Sequence, residues 1–507
     1  MLDNLLAVIR EENLSEQLYH SLVGLEIEEQ RIDQHGRLSR RPHPSQLGSR
    51  TFHPYFQTDF TESQLEVITD PNPNIGGTLD QLDTLQTVAY RSLEGDDRIW
   101  PLSMPPVVDD TDLQFIADHF DRPAIRPYRE YLVKKYGLQH GCLTGVHVNY
   151  SLPDPVIHRL YSHYTTEFSS LVAFKNALYF RVAQNFVRYQ WLLTYLFGAS
   201  PIAEKGFFET VPADLQEPVR SIRNSPYGFV NFPQEQVTYA SLTAHLTQLQ
   251  DRIDEGTYFS AHEFYGPVRL KGRANARDFL TGGIQYLELR DFDNTPFTPN
   301  GVSRHAMYFL KIFMLYLLTQ PEPENLAETL AAARTKNQTV ALENPLTATQ
   351  YQLEGEQIFH EMREMAQSLQ THIEQWDIID DLEEVLTHPE LTPAAKLLTH
   401  VENGSLMKFG QAVARKWYHD RINTPALLPQ LQQLSDHAQR FVMTALQAGI
   451  RFYQVRDENG ADLLMFTFDG ITQVLEDRDT RVPDAEARLR QLFPDLPALP
   501  APLHYEN

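Results

Sequence analysis

The stretch GLEIEEQRID (residues 24–33) sets two glutamates two positions apart inside an otherwise apolar run. Read as a β-strand, it sends Leu25 and Ile27 to one face and Glu26 and Glu28 to the other, because alternate side chains share a face. Two carboxylates about 6.6 Å apart repel by roughly 2–3 kcal/mol at an effective dielectric near 20. Such a pair calls for a cation. The third acid of the run, Glu29, goes with Leu25 and Ile27 and is left out of the site.

Three further segments repeat the pattern. QTDFTESQLEVIT (57–69) offers Asp59 and Glu66, with Leu65 and Val67 alternating. TGVHVNYSL (144–152) sets His147 and Asn149 against Val146, Val148 and Tyr150, and GIQYLELRDF (283–292) sets Tyr286, Glu288 and Arg290 against Leu287 and Leu289. An antiparallel sheet with one wet face gives the same alternation. Solvated faces, however, mix their signs and are rich in Lys and Thr, whereas these faces concentrate acids with one His and one Arg. Acids gathered from several strands suit a hard divalent cation bound through oxygen. With one His and no Cys in the set, Mg²⁺ or Mn²⁺ fits better than structural zinc. Such an ion beside an arginine is equipment for holding ATP phosphates and for phosphoryl transfer. Neither GxxxxGK[ST] nor GxGxxG occurs at a suitable place, so ATP would be held by metal ions on a sheet.

The rest of the chain narrows the class. At 507 residues with a formal net charge of -24, it repels nucleic acid and anionic membranes, which excludes both as partners. The basic run RLSRRPHP (37–44) reads as a solvated loop. The one cysteine, Cys142, rules out an intrachain disulfide or a redox pair and reads as packing rather than a nucleophile. The start MLDNLLAVIREENLSEQ lacks a signal peptide's pattern, and AMYFLKIFMLYLL (306–318), interrupted by Lys311, is a buried helix rather than a membrane span. A reduced, cytoplasmic, soluble protein is expected.

Helical patterns over 3–22 and 157–198 alternate with the strands, which indicates an α+β fold. In the second of these, Arg181, Asn185 and Arg188 recur at helical spacing. TQPEPENLAE (319–328) reads as a boundary. Beyond it helices dominate, and Leu427, Leu431, Leu434, Ala438, Phe441 and Ala445 form an apolar stripe on one helix. The expected division is a sheet-bearing catalytic region over 1–320 and a mostly helical part over 321–507 packed on it.

The segments GLEIEEQRI, HPSQLGS, TDFTESQLEVITDP, RIWPLSMP, GVHVNYSLP, YFRVAQNFVRYQWLLTYLFGASP and GGIQYLELRDFDNTPFTPNGV, in this order over residues 24 to about 302, resemble the bacterial glutamate–cysteine ligases of the γ-proteobacterial type. The resemblance implies a glutamine-synthetase-like fold, a curved, mainly antiparallel sheet with metal ions, ATP and glutamate on its concave face. It implies that ATP phosphorylates the γ-carboxylate of L-glutamate and that the amine of L-cysteine displaces the phosphate, giving γ-glutamylcysteine, the first step of glutathione biosynthesis. It implies Glu26, Glu28, Asp59, Glu66, His147 and Glu288 as ligands of Mg²⁺ (Mn²⁺ as alternative). Arg290 and Glu288 would be catalytic, Arg290 and Asn149 would contact ATP, and Arg223 would receive a substrate carboxylate.

The cysteine pocket of the family is aromatic, and Phe60, Tyr128, Leu132 and Tyr265 fall on its positions. Where a second pocket tyrosine is expected after RSIR, this sequence has Phe229, with Tyr227 two residues earlier. A related ligase using another amine is therefore the alternative reading, and an inactive binding protein on the same scaffold a third. Some family members carry a fused glutathione synthetase domain. This chain, ending at Asn507, is expected to lack it and to act as a monomer.

Overall fold

The computed structural model describes residues 2, 4–50, 52–119, 124–370, 376–456 and 462–498; the end of the chain from 499 to Asn507 lies outside the described residues. Its centre is a seven-stranded sheet built from β1 (Leu22–Ile32), β2 (Phe56–Gln57), β3 (Gln64–Ile68), β4 (Arg98–Trp100), β5 (Val146–Ser151), β6 (Val268–Lys271) and β7 (Tyr286–Phe292). The strand order is β2-β3-β1-β5-β7-β6, with β4 on the far end of β1, and every pairing is antiparallel. The four strand-like segments of the sequence therefore become β1, β3, β5 and β7. The fold is α+β, as expected.

Alternation decides which face meets which layer. Leu25, Ile27, Leu65, Val67, Val146, Val148, Leu287 and Leu289 are fully buried on one face. They pack in one apolar cluster with the helices Ile75–Ser92, Leu171–Phe197 and Arg304–Thr319. Every residue from Ala306 to Leu318 is buried, and Lys311 is satisfied there by the carbonyl of Pro73. Among the described residues no helix is long and apolar enough to cross a membrane.

Several expected elements are divided. The pattern over 3–22 gives two short helices, Leu5–Glu11 and Ser15–Tyr19, separated at Asn13 with φ 52°; Asp3 lies outside the described residues and Leu22 already belongs to β1. The 157–198 pattern divides into Asp154–Tyr161 and Leu171–Phe197, the second capped by Ser170. Its polar stripe seals carbonyls at the ends of other elements: Arg181 donates to Leu2 O at 2.8 Å and Asn185 to Leu317 O at 2.9 Å. The stripe from Leu427 to Ala445 is not one helix. A 3-10 turn over Pro429–Leu431 comes first, and the α-helix runs only from Asp436 to Gln447, started by Ser435, whose side chain caps Ala438 N.

Beyond residue 320 the chain is not purely helical, since β8 (Arg451–Arg456), β9 (Asp462–Phe468) and β10 (Ile471–Leu475) form a three-stranded antiparallel sheet. The apolar core runs continuously across residue 320, taking in Phe359, Phe441 and Leu464 alongside the sheet residues. TQPEPENLAE is a helix-to-helix connection. The basic run is tied down: Arg37 meets Asp109 at 2.6 Å and Asp112 at 3.0 Å, and Arg41 meets Asp96 at 2.7 Å and Asp97 at 2.8 Å.

Candidate active site

The registers align the polar face of the sheet strand by strand. Glu28 stands opposite Glu66 across β1 and β3, and Glu26 stands opposite His147 across β1 and β5. Asn149 stands opposite Glu288 across β5 and β7, and Glu288 opposite Arg269 across β7 and β6. A cavity of about 370 Å³ lies against this face, within the usual range for small-ligand sites. Glu26, Glu28, Asp59, Glu66, His147, Glu288 and Arg290 all line it. Asp59 comes from the loop between β2 and β3 and is exposed, while Glu28, His147 and Glu288 are buried.

Electrostatics divide these groups into two subsets. Burial would push the Glu288 carboxyl up, but Arg269, Arg290 and Lys271 together hold it well below the usual range. It meets Arg290 at 2.6 Å, Arg269 at 3.3 Å and Lys271 in a short contact. On the other side burial raises Glu28 to about 8, with repulsion from Asp59 adding to it. Glu66 is raised well above its usual value by burial and by Glu26, Asp59 and Glu28. His147 is pushed down to about 4 by burial and by Arg290, so its imidazole is neutral. Its Nδ1 lies 3.4 Å from Glu26 and its Nε2 3.7 Å from Glu28.

Oxygen-rich and mutually repelling, the Glu28–Glu66–Asp59 side is the donor set a hard divalent cation suits. Among the described residues, however, no three such side chains converge on one point. The physical reason is that partners are already taken: Glu288 by its three bases, and Glu26 by His147 and by Asn149, whose Nδ2 donates to it at 2.7 Å.

The opposite end of the cavity is aromatic. Phe60, Tyr128, Leu132, Phe229 and Tyr265 line it, carried by the helix Arg126–Tyr136 and by loops. They belong to an apolar cluster separate from the main core. Gly141 admits Phe60, because a Cβ there would meet its ring at 2.2 Å. Phe229, not Tyr227, occupies the wall: it lies 4.3 Å from Tyr265 between ring centroids, whereas the Tyr227 hydroxyl donates to Asp214 at 2.6 Å on the surface. Cys142 is buried in this cluster with its thiol pushed up to about 12, which leaves it inert at neutral pH.

Two expected residues lie elsewhere. Asn149 does not line the cavity and acts on Glu26 instead. Arg223 borders an adjoining smaller cavity, and its Nη1 donates to Arg290 O at 2.8 Å. Gly145 makes room for that guanidinium, since a Cβ would meet it at 2.2 Å. Sequence reasoning missed Arg269 and Lys271, although VRLK (268–271) alternates apolar and basic residues as β6 requires. It also missed Tyr136, His140 and His262, which line the cavity. His140 is stacked between Tyr136 and Phe229 at 5.1 and 4.9 Å, and its place in the three-residue 3-10 turn His140–Cys142 leaves no periodic signal.

The family model described as glutamate–cysteine ligase matches residues 6–260 and 257–340. The glutathione biosynthesis bifunctional protein of Streptococcus thermophilus is 34% identical over 451 residues, covering 89% of this chain and 59% of that protein. Its counterpart in Enterococcus faecalis is 35% identical over 452 residues with the same coverage. The chain thus spans about 59% of the length of these curated relatives. The crystal structure of a bifunctional glutathione synthetase from Pasteurella multocida matches with a TM-score of 0.84 and 33% identity, over 93% of this chain and 62% of that one. The glutamate–cysteine ligase of Francisella tularensis, solved with AMP, matches with a TM-score of 0.70 and 23% identity over 85% of this chain and 96% of that one, a likeness of fold.

Proposed function

The chain belongs to the glutamate–cysteine ligase family, and from that membership we propose that it joins the γ-carboxylate of L-glutamate to the amine of L-cysteine at the expense of ATP. The observation that carries the proposal is a single cavity with a carboxylate-and-guanidinium face at one end and an aromatic pocket at the other. In the first step a γ-carboxylate oxygen attacks the γ-phosphorus of ATP, and ADP leaves. In the second the amine attacks the acyl carbon, a proton is lost from nitrogen, and inorganic phosphate leaves with the C–O bonding pair.

Glu28, Asp59 and Glu66 would hold Mg²⁺, or Mn²⁺, and Glu26, His147 and Glu288 would join them only where the ion displaces their present partners, Asn149 from Glu26 and the bases from Glu288. When bound, that ion supplies charge neutralisation on the phosphates. The chain's own groups do the rest. Arg290, fixed by Glu288 at 2.6 Å, offers a preorganised positive charge to the transferring phosphoryl group. Glu288, kept ionised by its basic neighbours, holds Arg290 in that orientation. Phe60, Tyr128, Leu132, Phe229 and Tyr265 receive the soft, weakly polar thiol side chain and exclude water around it. The catalytic work is assigned to residues 1–320, in a cytoplasmic monomer whose partners are L-glutamate, L-cysteine and ATP, with no nucleic acid or membrane involved.

A second reading keeps the phosphoryl apparatus but takes another amine, because Phe229 brings no hydroxyl to the pocket wall. Release of ADP with L-glutamate plus L-cysteine, with γ-glutamylcysteine identified by mass, is the expected result. Equal or greater turnover with a different small amine overturns cysteine as the acceptor, and absence of ADP release with every amine overturns the ligase.

A further inference from the structure

The aromatic end of the large cavity holds a polar ring with no bond of its own. His140 opens the turn His140–Cys142 and lines the cavity. Its ring is stacked between Tyr136 and Phe229, at interplanar angles of 18° and 11°, with Tyr265 at 6.0 Å between centroids. Because those two rings cover its faces, His140 meets the cavity by its edge, where the polar atoms are. Among the described residues neither ring nitrogen has a hydrogen-bond partner; Nε2 is closed off from solvent, which leaves Nδ1 as the nitrogen a bound molecule can meet. A phenyl ring would serve the stack as well and leave no donor or acceptor unmet. Nor does the turn need the imidazole to hold its place, because its carbonyls are fixed from the sheet. Gln30 Nε2 donates to Cys142 O at 3.0 Å and Gln64 Nε2 to Gly141 O at 3.5 Å. An unmet imidazole with no structural task, set in a ligand cavity, is a group kept for the ligand.

The neighbouring polar groups are engaged. The Tyr136 hydroxyl donates to Glu263 at 3.0 Å and accepts from Asn231 Nδ2 at 3.1 Å, and the Tyr128 and Tyr265 hydroxyls interact with each other. The surroundings also decide what kind of ligand group His140 can meet. Burial alone pushes its imidazole down to about 4, with no charged side chain acting on it, so the ring is neutral at pH 7. A neutral imidazole offers one N–H and one bare nitrogen. A carboxylate brought to this place would lose its water with no cation acting beside it, at a high cost. A thiol is uncharged and soft, and is both a weak donor and a weak acceptor, which suits a neutral imidazole walled by aromatic rings.

We propose that the acceptor's thiol hydrogen-bonds to the imidazole of His140, which makes this residue the one that selects a thiol over a methyl group of similar size. The identity of that acceptor as L-cysteine rests on the ligase reading above. Shape alone separates the two poorly. L-2-aminobutyrate carries a methyl group in place of the thiol, and an apolar pocket tells such groups apart only weakly. A polar group that the wrong ligand leaves unmet separates them more strongly. The acceptor's amine is left free for the other end of the cavity, where Arg290 and the carboxylates stand.

The test compares kcat/KM for L-cysteine and for L-2-aminobutyrate, with ATP and L-glutamate saturating and a phosphine rather than a thiol as reductant. It uses the full chain, His140→Phe, which keeps a stacking ring without nitrogens, and His140→Gln, which returns a polar group. His140→Phe is expected to reduce the preference for L-cysteine by about threefold to tenfold, the range one hydrogen bond gives, and His140→Gln to restore part of it. A preference changed by less than about twofold in folded His140→Phe overturns the proposal. Should that variant fail to fold, His140→Leu is held to the same limits. Cysteamine keeps the thiol and lacks the carboxylate. If His140→Phe shifts the ratio of L-cysteine to cysteamine but not that of L-cysteine to L-2-aminobutyrate, the ring holds a carboxylate and the proposal fails. Calorimetric binding of the same amines, measured apart from ADP release, keeps the two readings distinct. Ligation with a preference indifferent to the variants sinks this site alone. Selective binding of L-cysteine that is lost in His140→Phe, without ligation, sinks the ligase alone, and absence of both overturns both.

Discussion

Glu28 and Glu66 face one another across β1 and β3, and burial raises both carboxyls, with Asp59 repelling each. For Glu28 the folded protein holds a proton up to about pH 8, against an ordinary value of 4.5. Between those values the folded state binds more protons than the unfolded one, so stability falls as pH rises through the window. In chelator, the Tm is expected to drop between pH 6.5 and 8. Glu28→Gln is expected to raise the Tm at pH 8, flatten the profile and abolish ADP formation. A Tm that holds level or climbs over this range contradicts the argument.

Glu29 is the internal control for face assignment. It lies beside Glu28 in sequence but on the core face, where its carboxylate accepts a hydrogen bond from Gln86 Nε2 at 2.8 Å. Glu29→Gln is expected to retain ADP formation within about threefold, because burial already raises the Glu29 carboxyl to about 7 and an amide oxygen of the same shape can accept the Gln86 hydrogen bond. Loss of turnover in a folded Glu29→Gln variant, matching that of Glu28→Gln, would place both acids in the machinery.

The aromatic end depends on a polar clasp. Lys135 Nζ meets Glu235 at 2.8 Å and Glu263 at 2.6 Å, and the Tyr136 hydroxyl donates to Glu263 at 3.0 Å. Asn231 in turn donates to Glu263 O at 2.8 Å and accepts from Tyr265 N at 2.7 Å. This ties the helix bearing Tyr128 and Leu132 to the loop bearing Tyr265. Lys135→Met leaves the buried Glu263 carboxylate without its cation and should cost about 2–4 kcal/mol, discounted for partial solvent access. Urea unfolding measures the loss, and the KM for the amine should rise more than the KM for ATP. An unfolding midpoint within error of the unaltered chain would show the clasp to be idle.

How much of this was legible follows from periodicity. β1, β3, β5 and β7 alternate over five residues or more against a buried layer, so the sharing of one face by Glu26, Glu28, Glu66, His147 and Glu288 could be read directly. β6 is four residues long and β4 three, too short for alternation to separate from chance, and with β6 went Arg269 and Lys271. Residues 451–475 sit among helical patterns, which hid the second sheet. His140 and His262 reach the cavity by chain folding rather than by period, whereas Tyr136 continues the step of four from Tyr128 and Leu132 on the helix Arg126–Tyr136 and was legible there. The departure at Phe229 was visible in the sequence, but its resolution needed coordinates, because the Phe229–Tyr265 contact and the Tyr227–Asp214 bond together show which ring was diverted.

Phe229 therefore gives the sharpest test of acceptor recognition. Its ring lies parallel to His140, at an interplanar angle of 11°, and Arg290 lies 5.7 Å from its centroid. A hydroxyl added at its para position would extend the polar reach of the pocket wall without altering the stack. Phe229→Tyr is expected to lower the KM for L-cysteine by about threefold to tenfold, one hydrogen bond contributing roughly 0.5–1.5 kcal/mol net. The KM values for ATP and L-glutamate should stay within about twofold. Tyr227→Phe, which removes only the surface bond to Asp214, should leave all three unchanged. If Phe229→Tyr moves the KM for ATP as much as that for L-cysteine, the ring is a general support of the fold. If Tyr227→Phe raises the KM for L-cysteine while Phe229→Tyr has no effect, the acceptor contact belongs to the residue two positions earlier.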